Sequence, residues 1–113
     1  MVDRKRLGRR SRRKGANEER DVVGVLPECC APKRVPLSGM GGGERFGGDV
    51  VFTHNAVNYR IECKVRKAGF SRLYEWLGDN DILTVRQDRS PRLWVLHENT
   101  FLALLEAADN NAE

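Results

Sequence analysis

Residues 49–65 read Asp-Val-Val-Phe-Thr-His-Asn-Ala-Val-Asn-Tyr-Arg-Ile-Glu-Cys-Lys-Val, and this stretch decides the fold. Residues 57–65 alternate. Val57, Tyr59, Ile61, Cys63 and Val65 fall on one face, and Asn58, Arg60, Glu62 and Lys64 on the other. A period of two marks a strand with one buried side. Residues 49–54 are mostly apolar and form the preceding strand. Asn55-Ala56 suits a two-residue hairpin turn, although Asn-Gly is the stronger signal. With that loop, Thr53 faces Asn58 and Asp49 faces Glu62. Directly opposed residues share a sheet face, with Cβ atoms about 5 Å apart. Lys64 lies two residues beyond Glu62 and shares the same face. The sheet is therefore expected to present Asp49, Glu62 and Lys64 together, and a one-residue change in the loop would break that register.

Upstream, six glycines fall within residues 39–48. They predict a mobile loop, or one lying close to a ligand backbone, and they lack the GxxxxGK[ST] pattern of a nucleotide phosphate loop. Residues 31–38 hold two prolines and read as an edge strand or extended segment. A helix is expected from about Ala16 to Leu26, with Val22, Val23 and Leu26 on its apolar face and Pro27 ending it. Three residues back along that stripe sits Glu19, an acid on the face that should meet the sheet. Downstream, a short helix capped by Ser71 packs Leu73, Tyr74 and Leu77. Strands follow at about 82–86 and 93–97, joined through Asp88-Arg89-Ser90-Pro91. A last helix begins near Asn99 or Thr100, with the stripe Phe101, Leu104, Leu105, Ala108. The order predicts an α/β domain, a mixed β-sheet flanked by helices, over residues 15–113.

Composition narrows the function. The chain has 113 residues and a net charge of +4, enough for one domain with a modest core. The charge is unevenly spread. Residues 1–14 hold eight bases and one acid, a net +7, while the other 99 residues hold twelve bases and fifteen acids, a net −3. A uniformly basic, histone-like protein is excluded. Residues 1–14 offer nothing to bury and are expected to form a disordered basic arm. The longest apolar run is five residues, Phe101 to Leu105, far short of the roughly 20 of a membrane span. No apolar stretch backs the arginine-rich start, so no secretory signal is expected. Three cysteines, two of them adjacent, make neither a disulfide framework nor a metal pair, and are expected to be reduced thiols in a cytoplasmic protein.

Two opposed carboxylates normally destabilise a sheet. A hard cation such as Mg²⁺ removes that cost, because it prefers carboxylate oxygens and keeps several waters. Such a metal can supply a hydroxide nucleophile and neutralise charge on a phosphate, and a neighbouring lysine can orient or deprotonate the attacking water. Carboxylates and a lysine around a cation are the chemistry of a nuclease. Glu19 would complete the site from the adjacent layer. Taken alone, Glu62 and Lys64 also fit a solvated strand face; the added acids at Asp49 and Glu19 tip the balance.

Asp49 followed by Glu62-Cys63-Lys64 resembles the D…ExK signature of the PD-(D/E)xK nuclease superfamily. Arg13-Lys14-Gly15-Ala16 with Glu19-Arg20-Asp21 is similar to the opening motif of archaeal-type Holliday junction resolvases, found also in phages and prophages. Arg34-Val35-Pro36-Leu37-Ser38-Gly39 resembles the Arg-x-Pro-x-Ser-Gly segment of that family. The resemblance covers roughly residues 12–67. It implies a restriction-endonuclease-like core and a homodimer with one active site per subunit. It also implies Mg²⁺ dependence, with Mn²⁺ as substitute, and paired nicks across a four-way junction in a bacterial or phage-infected cell. It further implies that Glu19, Asp49, Glu62 and the Cys63 backbone carbonyl bind the metal, that Lys64 is catalytic, and that Ser38 lies near the scissile phosphate. Gly48 stands where the superfamily name has a proline. The helix after the lysine strand is short and lacks the polar motif that many archaeal members carry.

Positive charge must hold the DNA against an acidic body. The candidates are Arg9, Arg10, Arg12, Arg13 and Lys14 in the arm, Arg34 and Arg45 beside the glycine loop, and Arg66, Lys67 and Arg72 after the lysine strand. Phe46 is the candidate for stacking on a base. Trp76 and Trp94 are expected in the core or a dimer interface, Cys63 in the core, and His54 and His97 at the surface. Two other readings keep some of these features: a non-catalytic nucleic-acid-binding module, and a nuclease of the same superfamily acting on duplex or flapped DNA.

Overall fold

The computed structural model describes residues 4–35 and 49–111, with side chains at 12–35 and 49–108. Contacts divide the chain into two compact units, residues 1–65 and 66–113.

The first unit opens with helix α1, Arg4–Val25. Its packed half is the helix read from Val22, Val23 and Leu26, and Leu26 still donates its N–H to the Val22 carbonyl. Pro27, which cannot continue a helix, follows. The start corrects the sequence reading, because Arg4 to Lys14 are helical rather than unstructured. Burial alone does not decide this segment. Arginine and lysine are good helix formers, no proline interrupts the segment, and a half already packed removes the cost of nucleation.

A 3-10 turn, Glu28–Cys30, ends on Ala31 in the left-handed region. Strand β1 is short, Lys33–Arg34, and pairs antiparallel with β2, Val50–His54. β2 pairs in turn with β3, Val57–Ile61, so β2 is central and β1, flanked in the sequence by Pro32 and Pro36, lies at the edge. The hairpin register is the expected one, with Thr53 opposite Asn58 and Val50 opposite Ile61. Asn55 and Ala56 both have positive φ, 51° and 65°, the conformation of a type I′ turn. The Thr53 hydroxyl donates to Asn58 Oδ1 at 2.7 Å across the strands, and Phe52 stacks on Tyr59 with centroids 5.2 Å apart.

Val50, Phe52 and His54 alternate onto the buried face of β2, and α1 and the 3-10 turn pack against this strand. Burying Val50, Phe52 or Leu26 contributes about 1.5–3 kcal/mol each. The alternation also corrects His54. It is 7% exposed rather than a surface residue, because a period of two carries it to the same side as Val50 and Phe52.

The second unit holds helix α2, Ser71–Leu77, strands β4, Ile82–Val85, and β5, Leu93–Leu96, paired antiparallel, and helix α3, Glu98–Asn111. Phe70, not Ser71, occupies the cap position of α2, without a side-chain cap. Leu77 is buried, but Tyr74 is exposed, as are Trp76, Trp94 and Leu104, so none of these is a core residue. Arg89, with φ of 63°, and the Ser90 N–H bonded to the Gln87 carbonyl form the expected turn between β4 and β5. His97 is at the surface, where its Nε2 lies 3.0 Å from the Gly78 carbonyl and ties the end of β5 to the end of α2. The whole is an α/β architecture compatible with a restriction-endonuclease-like core.

Candidate active site

The described candidate acids, and the lysine beside them, lie in the first unit. Asp49 sits one residue before β2, and its backbone is fixed from both sides. Its N–H donates to the Ile61 carbonyl at 2.6 Å, and its carbonyl accepts from the Val35 N–H at 2.9 Å. The hairpin ladder ends at the Val50–Ile61 pair, so Asp49 and Glu62 lie one position beyond it. The Asp49 side chain reaches the backbone of the next strand's end, where its Oδ2 accepts the Cys63 N–H at 2.7 Å. The carboxylate is thus held on the backbone of the Glu62-Cys63-Lys64 segment by a charge-assisted hydrogen bond.

Glu62 and Lys64 share one side, as the alternation predicts, and form an exposed ion pair at 3.1 Å. Glu19 projects from α1 and is 8% exposed. A buried carboxylate needs a partner, and Arg34 on β1 supplies it: Arg34 Nε donates to Glu19 Oε1 at 3.0 Å. Reading Arg34 only as a DNA-binding candidate missed this role. The signal was available, since an acid on an otherwise apolar helix stripe requires a cation from the sheet beneath it.

Cys63 shows that these acids converge. Burial first, then the carboxylates of Asp49, Glu19, Glu18 and Glu62, push its thiol up from 9.0 to about 11. Cys63 is half-buried and stands among carboxylates rather than in an apolar core. Each nearby acid disfavours the thiolate by like-charge repulsion. Glu18 also acts on this thiol, while Glu19 is the more buried of the two. Among the described residues, no group of three or more His, Cys, Asp or Glu side chains is gathered tightly enough to hold a metal jointly. Glu19, Asp49 and Glu62 instead each bind a partner of their own.

Arg12, Arg13 and Lys14 are exposed on α1. Arg9 and Arg10 lie on the same helix, in its part without described side chains. Arg66, Lys67 and Arg72 belong to the second unit, where all three are exposed. Ser38, Arg45, Phe46 and the glycine-rich stretch 39–48 lie outside the described residues.

No curated protein and no solved structure matches the chain. The family model of the archaeal Holliday junction resolvase, Hjc, matches residues 10–75. That span holds the basic residues from Arg10 onward, Glu19, Arg34, Asp49, Glu62 and Lys64, and more than half of the sequence. A carboxylate pinned to the backbone of a Glu-x-Lys segment, with a further acid converging from the first helix, lies inside the matched region, and the chain belongs to the archaeal Holliday junction resolvase family.

Proposed function

We propose that this nuclease is a metal-dependent DNA endonuclease that resolves four-way junctions by paired nicks, as a homodimer. The observation that carries the reading is the bond from the Cys63 N–H to Asp49 Oδ2 at 2.7 Å, which brings Asp49 to the segment bearing Glu62 and Lys64. The donor set fits a hard divalent cation, since it offers carboxylate oxygens and no nitrogen ligand. Asp49, Glu62 and the Cys63 carbonyl would hold Mg²⁺, or Mn²⁺ in its place, with Glu19 in support. When bound, the cation supplies an activated water and neutralises charge on the phosphate.

The chain's own residues do the rest. Asp49 is fixed by backbone bonds on both sides, so its carboxylate needs little reorganisation. Lys64 is exposed and paired only weakly with Glu62, which leaves its ammonium available to orient the attacking water and to stabilise the extra charge of the transition state. The bases of α1 attract the phosphates that the acidic body would repel. Ser38 is proposed near the scissile phosphate.

The test is cleavage of a four-way junction, a flap and a linear duplex built from the same strands, with Mg²⁺. Asp49→Asn and Glu62→Gln should each abolish cleavage and keep junction binding. Full activity in either variant sinks the assignment. Equal cleavage of the linear duplex transfers it to the duplex-nuclease reading, and a monomer on the bound junction removes the paired-nick mechanism.

A further inference from the structure

We infer that residues 4–14 engage duplex DNA as a helix, with phosphate binding and helix formation coupled. The inference rests on the proposed reading that the chain acts on DNA, and it adds how the basic segment takes hold of it. The backbone is helical from Arg4. On that helix Lys5 and Arg9, Arg6 and Arg10, Arg9 and Arg13, and Arg10 and Lys14 occupy positions four apart. Arg6 and Arg9, Arg9 and Arg12, and Arg10 and Arg13 are three apart. Like charges at these spacings destabilise a helix. The first turn carries no acid, so basic residues crowd the positive end of the helix dipole, where cations are disfavoured. Gly8 and Gly15 weaken the same stretch. A Cβ at Gly15 would meet nothing within 4 Å, so no close packing accounts for that glycine.

Helix formers oppose these costs, and the balance is set by charge. A row of phosphates reverses its sign: seven repulsions are screened, and eight bases gain attraction together with counterion release. Spacing favours a nucleic-acid duplex over an acidic peptide. A duplex carries one charge per about 1.7 Å of axis, and the helix rises about 1.5 Å per residue. The segment from 4 to 14 would lie along roughly 16 Å of that charge.

Gly8 provides the test, because it lies in α1 far from the packed half and changes no charge. Gly8→Ala and Gly8→Pro are compared with the unaltered protein for binding a fluorescent linear DNA duplex, by anisotropy over a salt series. Far-ultraviolet circular dichroism is recorded with and without the duplex. The alanine variant should bind about two- to five-fold tighter, and the proline variant about ten-fold or more weaker. The duplex should increase the helical signal of the unaltered protein more than that of the proline variant. Equal affinities and equal salt slopes in all three proteins overturn the inference, since the segment then binds as an unstructured polycation; the nuclease reading stands in that case. If none of the three binds the duplex at low salt, this inference and the DNA reading fail together.

Discussion

Arg34→Met should cost the fold roughly 2–4 kcal/mol through the carboxylate it leaves behind. The Glu19 side chain is 10% exposed and that of Arg34 32%, with 3.0 Å between Nε and Oε1. At an effective dielectric of about 20, unit charges at that separation attract by roughly 5.5 kcal/mol before desolvation is subtracted. Removing one partner of a fully buried pair typically costs about 3–5 kcal/mol. The range here is set lower because water reaches a third of Arg34. Glu19→Gln leaves the guanidinium free to turn to solvent and should cost only about 1 kcal/mol. The double variant loses both charges, and the coupling energy should be about 1.5–3 kcal/mol. The assay is urea unfolding of the four proteins at neutral pH, extrapolated linearly to water. A coupling below about 0.5 kcal/mol, or an Arg34→Met protein as stable as the original, refutes the argument. Arg34 would then be free for phosphate, and its loss should appear in DNA affinity instead.

Ala56→Gly should stabilise the protein by about 1 kcal/mol, because an alanine at φ 65° strains the turn and glycine does not; thermal unfolding should rise by several degrees. Lys64→Met should shift stability by less than about 0.5 kcal/mol, since its pair with Glu62 is exposed, while cleavage falls by about 10²–10⁴. Equal losses of stability and activity would count against a role for Lys64 in the chemistry. At pH 8 iodoacetamide should label exposed Cys29 well before Cys63, whose thiol, raised to about 11, is ionised in only about one molecule in a thousand. The same shift lowers stability between about pH 9 and 11, because the unfolded chain loses that proton first and the folded chain retains it. Asp49→Asn removes the largest charge acting on the thiol and should speed Cys63 labelling; an unchanged rate would show that the carboxylates are not gathered there.

The hairpin was legible because both its constraints are local. A period of two and a two-residue loop fix the register, and five ladder pairs follow it. The anchoring of Asp49 was not legible, since it depends on β1 on the other side of β2, where the Val35 N–H takes the Asp49 carbonyl. Period also placed Glu19 inward without saying what it would meet. Its partner lies fifteen residues away on a two-residue strand that two prolines obscure. The helicity of residues 4–14 was missed for a different reason. Burial was the wrong criterion for a segment continuous with a packed helix, where propensity decides. Tyr74 was read as packed and is exposed, while the exposure of Trp76 and Trp94 excludes the core and leaves the interface alternative of that reading. Ser38 has no counterpart to these outcomes, because it lies outside the described residues.

Four acids around one thiol pose an electrostatic problem that the fold solves one carboxylate at a time. Glu19 is neutralised by a guanidinium and Glu62 by an ammonium, while Asp49 accepts a hydrogen bond from a backbone N–H. The three solutions differ in how readily they yield. An exposed lysine pair is worth little and exchanges with solvent, so the Glu62 oxygens are the ones most easily given to another cation. The Asp49 bond consumes one oxygen and fixes the position of the other. The Glu19 pair is the hardest to open, because its loss leaves a carboxylate buried without a partner. The expected division of labour follows from that ranking. Asp49 and Glu62 should dominate cation affinity, and Glu19→Gln should weaken it less than Asp49→Asn or Glu62→Gln does. Calorimetric titration of Mg²⁺ into the three variants measures the order directly, and a Glu19→Gln protein that loses the most affinity would show that Arg34 releases its carboxylate more easily than its burial indicates.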